Sequence, residues 1–410
     1  MKGVKVFPIL LPKSEYDLSR WSVIACDQFT SQPDYWNTLD QTVGAISTLR
    51  VIYPECFLGR GDENKVIENI NGKMADYLKK GIFRSVKDYI LTVRTTSYGR
   101  VRTGLVMAID LDCYDYSRKD TLIRATEKVV VERLPARVKI RRNAPLELPH
   151  VLLLIDDETQ SVIKPFADKK EELEKLYDFE LNQGGGHICG YRVDSHEVEE
   201  KLSALLNPSR LKERYGSETP FLFAVGDGNH SLAAAKECWE EIKPTLTEEE
   251  RENHPARFCL VEVDNIHEPD MNFEPIHRVV IGANEDFIPN LEKSLKGEGK
   301  VELIFNGEHK FISVPKEPAL AIKELQEYID RYIQAHPTVS QDYVHGAEHS
   351  ISVAEKENGI CILFPALSKD TLFRYISENG TLCRKSFSMG EAEEKRYYLE
   401  AKMIKGESDA

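Results

Sequence analysis

What this chain lacks narrows its class before anything it contains. Its eight cysteines (26, 56, 113, 189, 238, 259, 361 and 383) are scattered, with no CxxC pair and no zinc-ligand spacing. In a chain of 410 residues they read as reduced thiols of a cytoplasmic protein, not as a disulfide framework. No apolar run approaches membrane-spanning length. The start, Met1-Lys-Gly-Val-Lys-Val-Phe-Pro8, lacks the long apolar core and cleavage site of a secretory signal. There is no Walker A sequence, no kinase-type glycine loop and no GxSxG elbow. Basic charge is short as well: 54 Lys and Arg stand against 68 Asp and Glu, for a net charge of −14. That balance argues against nucleic acid or an anionic membrane as partner. No basic helix-turn-helix pattern offsets it. The expectation is a soluble, cytoplasmic protein whose partner is a small molecule.

What is present is ordinary for a globular chain, with 41% hydrophobic and 30% charged residues. The length suits two or three domains. No repeat or low-complexity linker marks their boundaries. Periodicity predicts strands at 4–11 and 48–57, helices at 34–43 and 63–80, and a hairpin pairing 89–96 with 103–111 about Gly99. Helical texture covers 169–177 and 197–206. Beyond residue 286 it predicts a helix, a hairpin over 301–314, a helix over 319–335 and a polar tail. The whole reads as α/β, a mixed α+β chain. Residues 1–120 form an N-terminal α/β region, 121–285 a core, and 286–410 a smaller C-terminal α+β subdomain that closes the site.

The densest chemistry lies in Phe221-Leu-Phe-Ala-Val-Gly-Asp-Gly-Asn-His-Ser231, followed by Leu-Ala-Ala-Ala-Lys236. An apolar run of strand length enters two glycines separated by an acid, then a polar triplet and a strong helix former. Glycine permits the tight turn. Asn229 or Ser231 can cap the helix that follows, and a helix start favours anions. An acid, an amide, an imidazole and a hydroxyl therefore meet at the end of a buried strand, where α/β proteins place ligands. A plain strand–turn–helix with capping residues explains the same pattern.

A second feature is Ala136-Arg-Val-Lys-Ile-Arg-Arg142. Taken as a strand, it puts Arg137, Lys139 and Arg141 on one face. They form either a solvated face with surface ion pairs or a clamp for phosphate oxygens. Arg124 beside Glu127 adds a guanidinium upstream, and Glu147 and Asp156-Asp157 add carboxylates downstream. Weaker features are the glycine turn before His187, the Glu274–Arg278 stretch with His277, and Arg384-Lys385-Ser386, which is a phosphate patch or an exposed turn. Glu391 and Lys395 fit an i,i+4 pair on a terminal helix. His345 and His349 share helical spacing but have no third zinc ligand.

Ordered blocks through the chain carry a family resemblance. They are Ile123-Arg-Ala-Thr-Glu127, Ala144-Pro-Leu-Glu-Leu-Pro-His150, Leu154-Ile-Asp-Asp157, Gly184-Gly-Gly-His187, Val225-Gly-Asp-Gly-Asn-His-Ser231, Phe273-Glu-Pro-Ile-His-Arg278 and Lys385-Ser-Phe-Ser-Met-Gly390. From about residue 20 to 400 the chain resembles the bacterial family known as domain of unknown function 1015. The resemblance implies a ParB/sulfiredoxin-like core with a mixed sheet, in a superfamily that includes nucleotide hydrolases, sulfiredoxin and kinases of free L-serine. The family's usual turn is close to Asp-Gly-His-His-Arg. Here Asp227, Gly228 and His230 match, while Asn229 and Ser231 depart from it.

The function this implies is phosphoryl transfer to the hydroxyl of a small metabolite, free L-serine above all. The donor is ATP, ADP or pyrophosphate, with Mg²⁺ expected. Asp227 is the first choice for Mg²⁺ ligand or general base and Glu127 the second, with His230 donating to a phosphate oxygen or orienting the turn. Gly228, Asn229 and Ser231 would hold a phosphate. Arg124, Arg137, Arg141, Arg384 and Lys385, or else Lys236, would neutralise the rest. Two alternatives stay open: a phosphoserine phosphatase or phosphate-binding module, and a ParB-like nucleotide-binding regulator. A cysteine-based sulfiredoxin-like reaction is disfavoured, since the turn holds no cysteine.

Overall fold

The computed structural model describes residues 1–405. It is a mixed α+β protein whose described residues divide into two compact units, residues 1–271 with 391–405, and Asn272–Gly390.

The first unit is built on a nine-stranded mixed sheet. Its strands are β1 (Val4–Lys5), β2 (Tyr89–Thr95), β3 (Val101–Asp110), β4 (Ile123–Ala125), β5 (Leu152–Ile155), β6 (Lys175–Glu180), β7 (His187–Val193), β8 (Phe223–Asp227) and β9 (Phe258–Asn265). Their order is β6-β7-β2-β3-β9-β5-β8-β4, with β1 pairing β3. Neighbours run antiparallel except β4 with β8 and β5 with β9. Strands β5 and β8 are near-continuous apolar runs, as expected of central strands covered on both faces. Four helices matter for the site: α1 (Pro33–Val43), α2 (Glu63–Lys79), α3 (Leu134–Arg142) and α4 (Asn229–Ile242). Apolar side chains fill both sheet faces: Leu153, Val225 and Trp239 in one core, Trp36, Met74 and Tyr398 in the other.

The second unit carries a six-stranded sheet around Phe273–Ile281, flanked by Ile360–Leu363 and Ser340–His345, with the hairpin Gly299–Phe305/Glu308–Val314 beyond and Phe387–Met389 paired to its start. Arg278 is fully buried here and donates to Gln326 and to the Arg384 and Lys385 carbonyls. Among the described residues no helix is long and apolar enough to cross a membrane.

Helices α1, α2, Ser195–Ala204 and Pro318–Ala335 and both hairpins form where their periodicity places them. Several elements differ. Residues 136–142 are helical, not a strand: Pro135 sits at the helix start, and Leu134 and Val138, four apart, are buried on one face. Val138 packs on Ala234 and Cys238 of α4. Residues 48–57 form two short 3₁₀ turns, Thr48–Arg50 capped by Ser47 and Glu55–Phe57 after Pro54. The segment 169–177 ends its 3₁₀ turn at Glu172 and enters edge strand β6. Pro8 splits 4–11 into two strands. His345 ends a strand while His349 lies on the following helix Ala347–Glu357, so they share no helical face. The expected terminal helix at 391–395 is a 3₁₀ turn, Ala392–Glu394, and the expected polar tail contributes short strands Tyr397–Tyr398 and Lys402–Met403 to the first unit.

Candidate active site

Strand β8 delivers the chain to a turn that only glycine can make. Gly228 has φ +77°, and a Cβ there would stand 3.0 Å from the Val151 Cα. The Asp227 carboxylate accepts from the Gly228 N–H at 2.9 Å, and α4 begins at the next residue. No side chain caps this helix start. Instead of capping, Asn229 donates to the Glu127 carbonyl at 2.7 Å, and Ser231 Oγ meets His150 Nε2 at 2.9 Å. His230 Nε2 accepts from the Val130 N–H at 3.1 Å. The segment Glu127–Val130 is thus laced to the turn. Asp227, Gly228, Asn229, His230 and Ser231 stand together at this turn, and Glu127 meets it through its backbone carbonyl.

The cation at this turn is one that reading missed. Lys395 Nζ lies 3.1 Å from Asp227 Oδ2. Burial works against the Asp227 charge, but Lys395 and the Gly228 N–H outweigh it and hold the carboxyl below its usual range. Arg94 places Lys395: its guanidinium binds the carbonyls of Glu393, Glu394 and Lys395. Three charge-assisted bonds to consecutive carbonyls fix this strap over the sheet.

A cavity of about 150 Å³ opens beside the helix start, with Ser231, His150, Arg137, Arg141, Glu55 and Glu147 in its wall. Because 136–142 is helical, Arg137 and Arg141 are one turn apart on α3 and both face this cavity, while Lys139 sits near Glu63. Each arginine already holds a carboxylate, Arg137 with Glu55 and Arg141 with Glu147. Burial alone would lower the Arg141 pKa, but Glu147 raises it. Glu147 also takes Lys402 at 3.2 Å and the Leu260 N–H at 2.8 Å. Burial pushes the Glu55 carboxyl up despite its arginine. These guanidinium groups are neutralised, not poised as bare phosphate clamps.

At the cavity wall runs a directed chain of hydrogen bonds. The Tyr398 hydroxyl donates to Cys26 Sγ at 3.0 Å and meets His150 Nδ1 at 2.9 Å. With that proton spent on sulfur, the tyrosine oxygen accepts from Nδ1–H, so Nε2 is left as the acceptor for Ser231. Asp27 Oδ2 stands 4.0 Å from the same Nε2. Burial and Asp27 push the Cys26 thiol up to about 12, so it serves as an acceptor and not as a thiolate.

The remaining sequence candidates lie elsewhere. Arg124 is fully buried at the opposite end of β8, donating to the Thr121 and Pro220 carbonyls over the Phe221 ring. Burial lowers its pKa to about 10. Lys236 binds the Leu111 carbonyl and Glu240. Arg384 and Lys385 belong to the second unit, where Arg384 is held by Asp330 and Tyr343. Residues missed from sequence are Cys26, Asp27, Glu55, His150, Lys395 and Tyr398. His150 alone had a signal, as the last residue of the Ala144–His150 block.

Comparison with known proteins gives the chain its relatives. No curated protein matches it. Among solved structures it is similar to a free serine kinase in complex with AMP, with TM-score 0.39 and 11% identity over 74% of this chain and 93% of that one. A conserved hypothetical protein from Pyrococcus furiosus gives TM-score 0.35 and 12% identity over 74% and 97%. SbnI with C-terminal truncation from Staphylococcus aureus gives 0.36 and 10% over 72% and 82%. A family model described as protein of unknown function (DUF1015) matches residues 9–401, nearly the whole sequence, and the chain belongs to that family.

Proposed function

We propose that this protein is a phosphotransferase that moves a phosphoryl group from a nucleotide or pyrophosphate to the hydroxyl of a small metabolite, free L-serine. The observation that carries the reading is the uncapped start of α4, with Asp227 and Lys395 beside it and the cavity opening at Ser231. A helix start and an ammonium group together suit a phosphate. The choice of serine rests on the family resemblance.

The division of labour follows from charge. Lys395 and the helix start hold donor phosphate. The cavity, whose arginines are already paired, takes the less charged acceptor. His150 Nε2, an acceptor held in place through Tyr398, receives the acceptor's hydroxyl proton once that hydroxyl replaces Ser231 as its donor. Asp227 is a weaker base, because Lys395 keeps it ionised. Its role is to fix Lys395 and to offer a carboxylate to Mg²⁺. Asp227 Oδ1 takes the Gly228 N–H and Oδ2 takes Lys395, which leaves each oxygen a lone pair for the ion, and Mg²⁺ is commonly held by one or two carboxylates plus the phosphates it arrives with. The ion would supply charge neutralisation on the donor. Glu127 and His230 position the turn.

The test is phosphorus NMR of the purified protein with Mg²⁺ and L-serine, offering ATP, ADP and pyrophosphate separately. A phosphoserine signal with any donor supports the reading, and silence with all three overturns it. Release of inorganic phosphate from phosphoserine with no donor present overturns it in favour of a phosphatase. Asp227→Asn is expected to keep the circular dichroism spectrum while losing roughly 10²–10³-fold in turnover, the range for removing one electrostatic group.

A further inference from the structure

The outer hairpin of the first unit gathers an unlike set of donors. Strands β6 and β7 pair antiparallel, with Cys189 opposite Asp178 and His187 opposite Glu180. His187 and Cys189 are two residues apart on β7, so they share one face of the sheet, and the register puts Asp178 and Glu180 on that same face. Side chains follow the register. His187 Nε2 lies 2.9 Å from Asp178 Oδ1, and its Nδ1 lies 3.8 Å from Cys189 Sγ. One donor atom from each of the three can be chosen so that all fall within 4.8 Å of one another. Among the described residues no other group of three His, Cys, Asp or Glu does this.

We propose that Asp178, His187 and Cys189 bind a divalent transition-metal ion of the zinc class. Sulfur, imidazole nitrogen and carboxylate oxygen together match zinc and cobalt and are a poor set for Mg²⁺ or Ca²⁺. In a tetrahedral site with bonds of about 2.0–2.3 Å, donors stand roughly 3.3–3.7 Å apart, so small side-chain rotations close the set. Access is open, since the Asp178 and His187 side chains are 40% and 36% exposed. Glu180 or a water completes the coordination. Lys175 Nζ, 2.8 Å from Asp178 Oδ2, leaves Oδ1 to the metal. Binding replaces the Cys189 S–H bond with a sulfur–metal bond and releases that proton to solvent, with no change of oxidation state.

The consequence is mechanical. Strand β6 is the sheet edge, and the metal would staple it to β7. The turn between them supplies the Gly185 carbonyl to Arg94 and the Asn182 carbonyl to Tyr397. The staple therefore stiffens the support of the strap that carries Lys395, whatever reaction the site performs.

The full-length protein, stripped with a chelator, is titrated with Zn²⁺ by calorimetry and with Co²⁺ by absorption. One equivalent is expected, with a thiolate-to-cobalt charge-transfer band and slower hydrogen exchange at the β6 amides. Losing an outer-shell partner costs 10–100-fold in metal affinity, so Cys189→Ser and His187→Gln should each lose at least about a hundredfold and the band should weaken or vanish. Cys383→Ser should bind as the parent does. Absence of a band in the parent overturns the proposal. So does a band that survives in both Cys189→Ser and His187→Gln, which would place the ion on other cysteines. Two variants guard against one failing to fold.

Discussion

Asp227 and Asp264 lie two strands apart in one sheet, yet their environments push them in opposite directions. Asp227, at the end of β8, has Lys395 at 3.1 Å and a backbone N–H, and its carboxyl stays below the usual range against the cost of burial. Asp264, on β9, is buried and its Oδ1 accepts no hydrogen bond. Burial drives its pKa up to about 8, with Arg102 opposing and Glu268 assisting. Glu147 extends the series, with burial outweighed by Lys402 and Arg141 together. Whether a carboxylate partly or wholly withdrawn from water keeps its charge is decided by whether the chain delivers a cation within hydrogen-bond reach. Both that receive one take a cation from the last fifteen described residues, Lys395 and Lys402, and Glu147 takes Arg141 as well.

The largest effect should come from removing the best-paired member. Glu147→Gln leaves Arg141 and Lys402 buried without their shared anion, and is expected to cost about 3–5 kcal/mol in urea unfolding. A loss under about 1 kcal/mol, the scale of exposed ion pairs, would show that water reaches them. Next, Lys395→Ala removes the single cation of Asp227. Burial is then opposed chiefly by the Gly228 N–H, so Asp227 should titrate upward, part of the way toward the behaviour of Asp264. Turnover is expected to fall about a hundredfold, with the acidic limb of its pH profile displaced to higher pH. A lowered rate with an unmoved limb would mean that Lys395 acts on substrate alone.

How much of this could be seen in the sequence depends on how local the signal is. The turn at 226–231 was legible because glycine, the acid and the alanine run are adjacent in the chain. The helix 134–142 was misread because Val138 and Ile140 alternate like a strand; the competing signals were Pro135 and the four-residue step from Leu134 to Val138. That error put Lys139 on the face that only Arg137 and Arg141 share. Lys395, Tyr398 and Cys26 carried no local signal. Tyr397–Tyr398 pairs with Val23–Ile24, a contact across nearly the whole chain that no window of sequence contains. Arg124 was legible as unusual but not as structural, because its carbonyl partners depend on where Thr121 and Pro220 fall.

The unpartnered carboxylate gives the smallest but cleanest test. The Asp264 pKa is raised in the folded chain from 3.8 to about 8. Between those values the native state holds a proton that the unfolded state has released, so this residue's contribution to stability falls as pH rises through the window. Asn cannot ionise and is nearly isosteric with the protonated acid. Asp264→Asn should therefore melt with the parent near pH 4 and above it near pH 8, by on the order of 1–3 kcal/mol. Arg102 supplies an internal check. Its Nε and Nη2 make no hydrogen bond, so its field on Asp264 is purely through space. With Arg102→Met that field is gone, the carboxyl should hold its proton to higher pH still, and the gain from Asp264→Asn should emerge over a wider pH range. Curves that run parallel from pH 4 to 8 would mean that Asp264 is ionised throughout, and that solvent supplies the partner the chain does not.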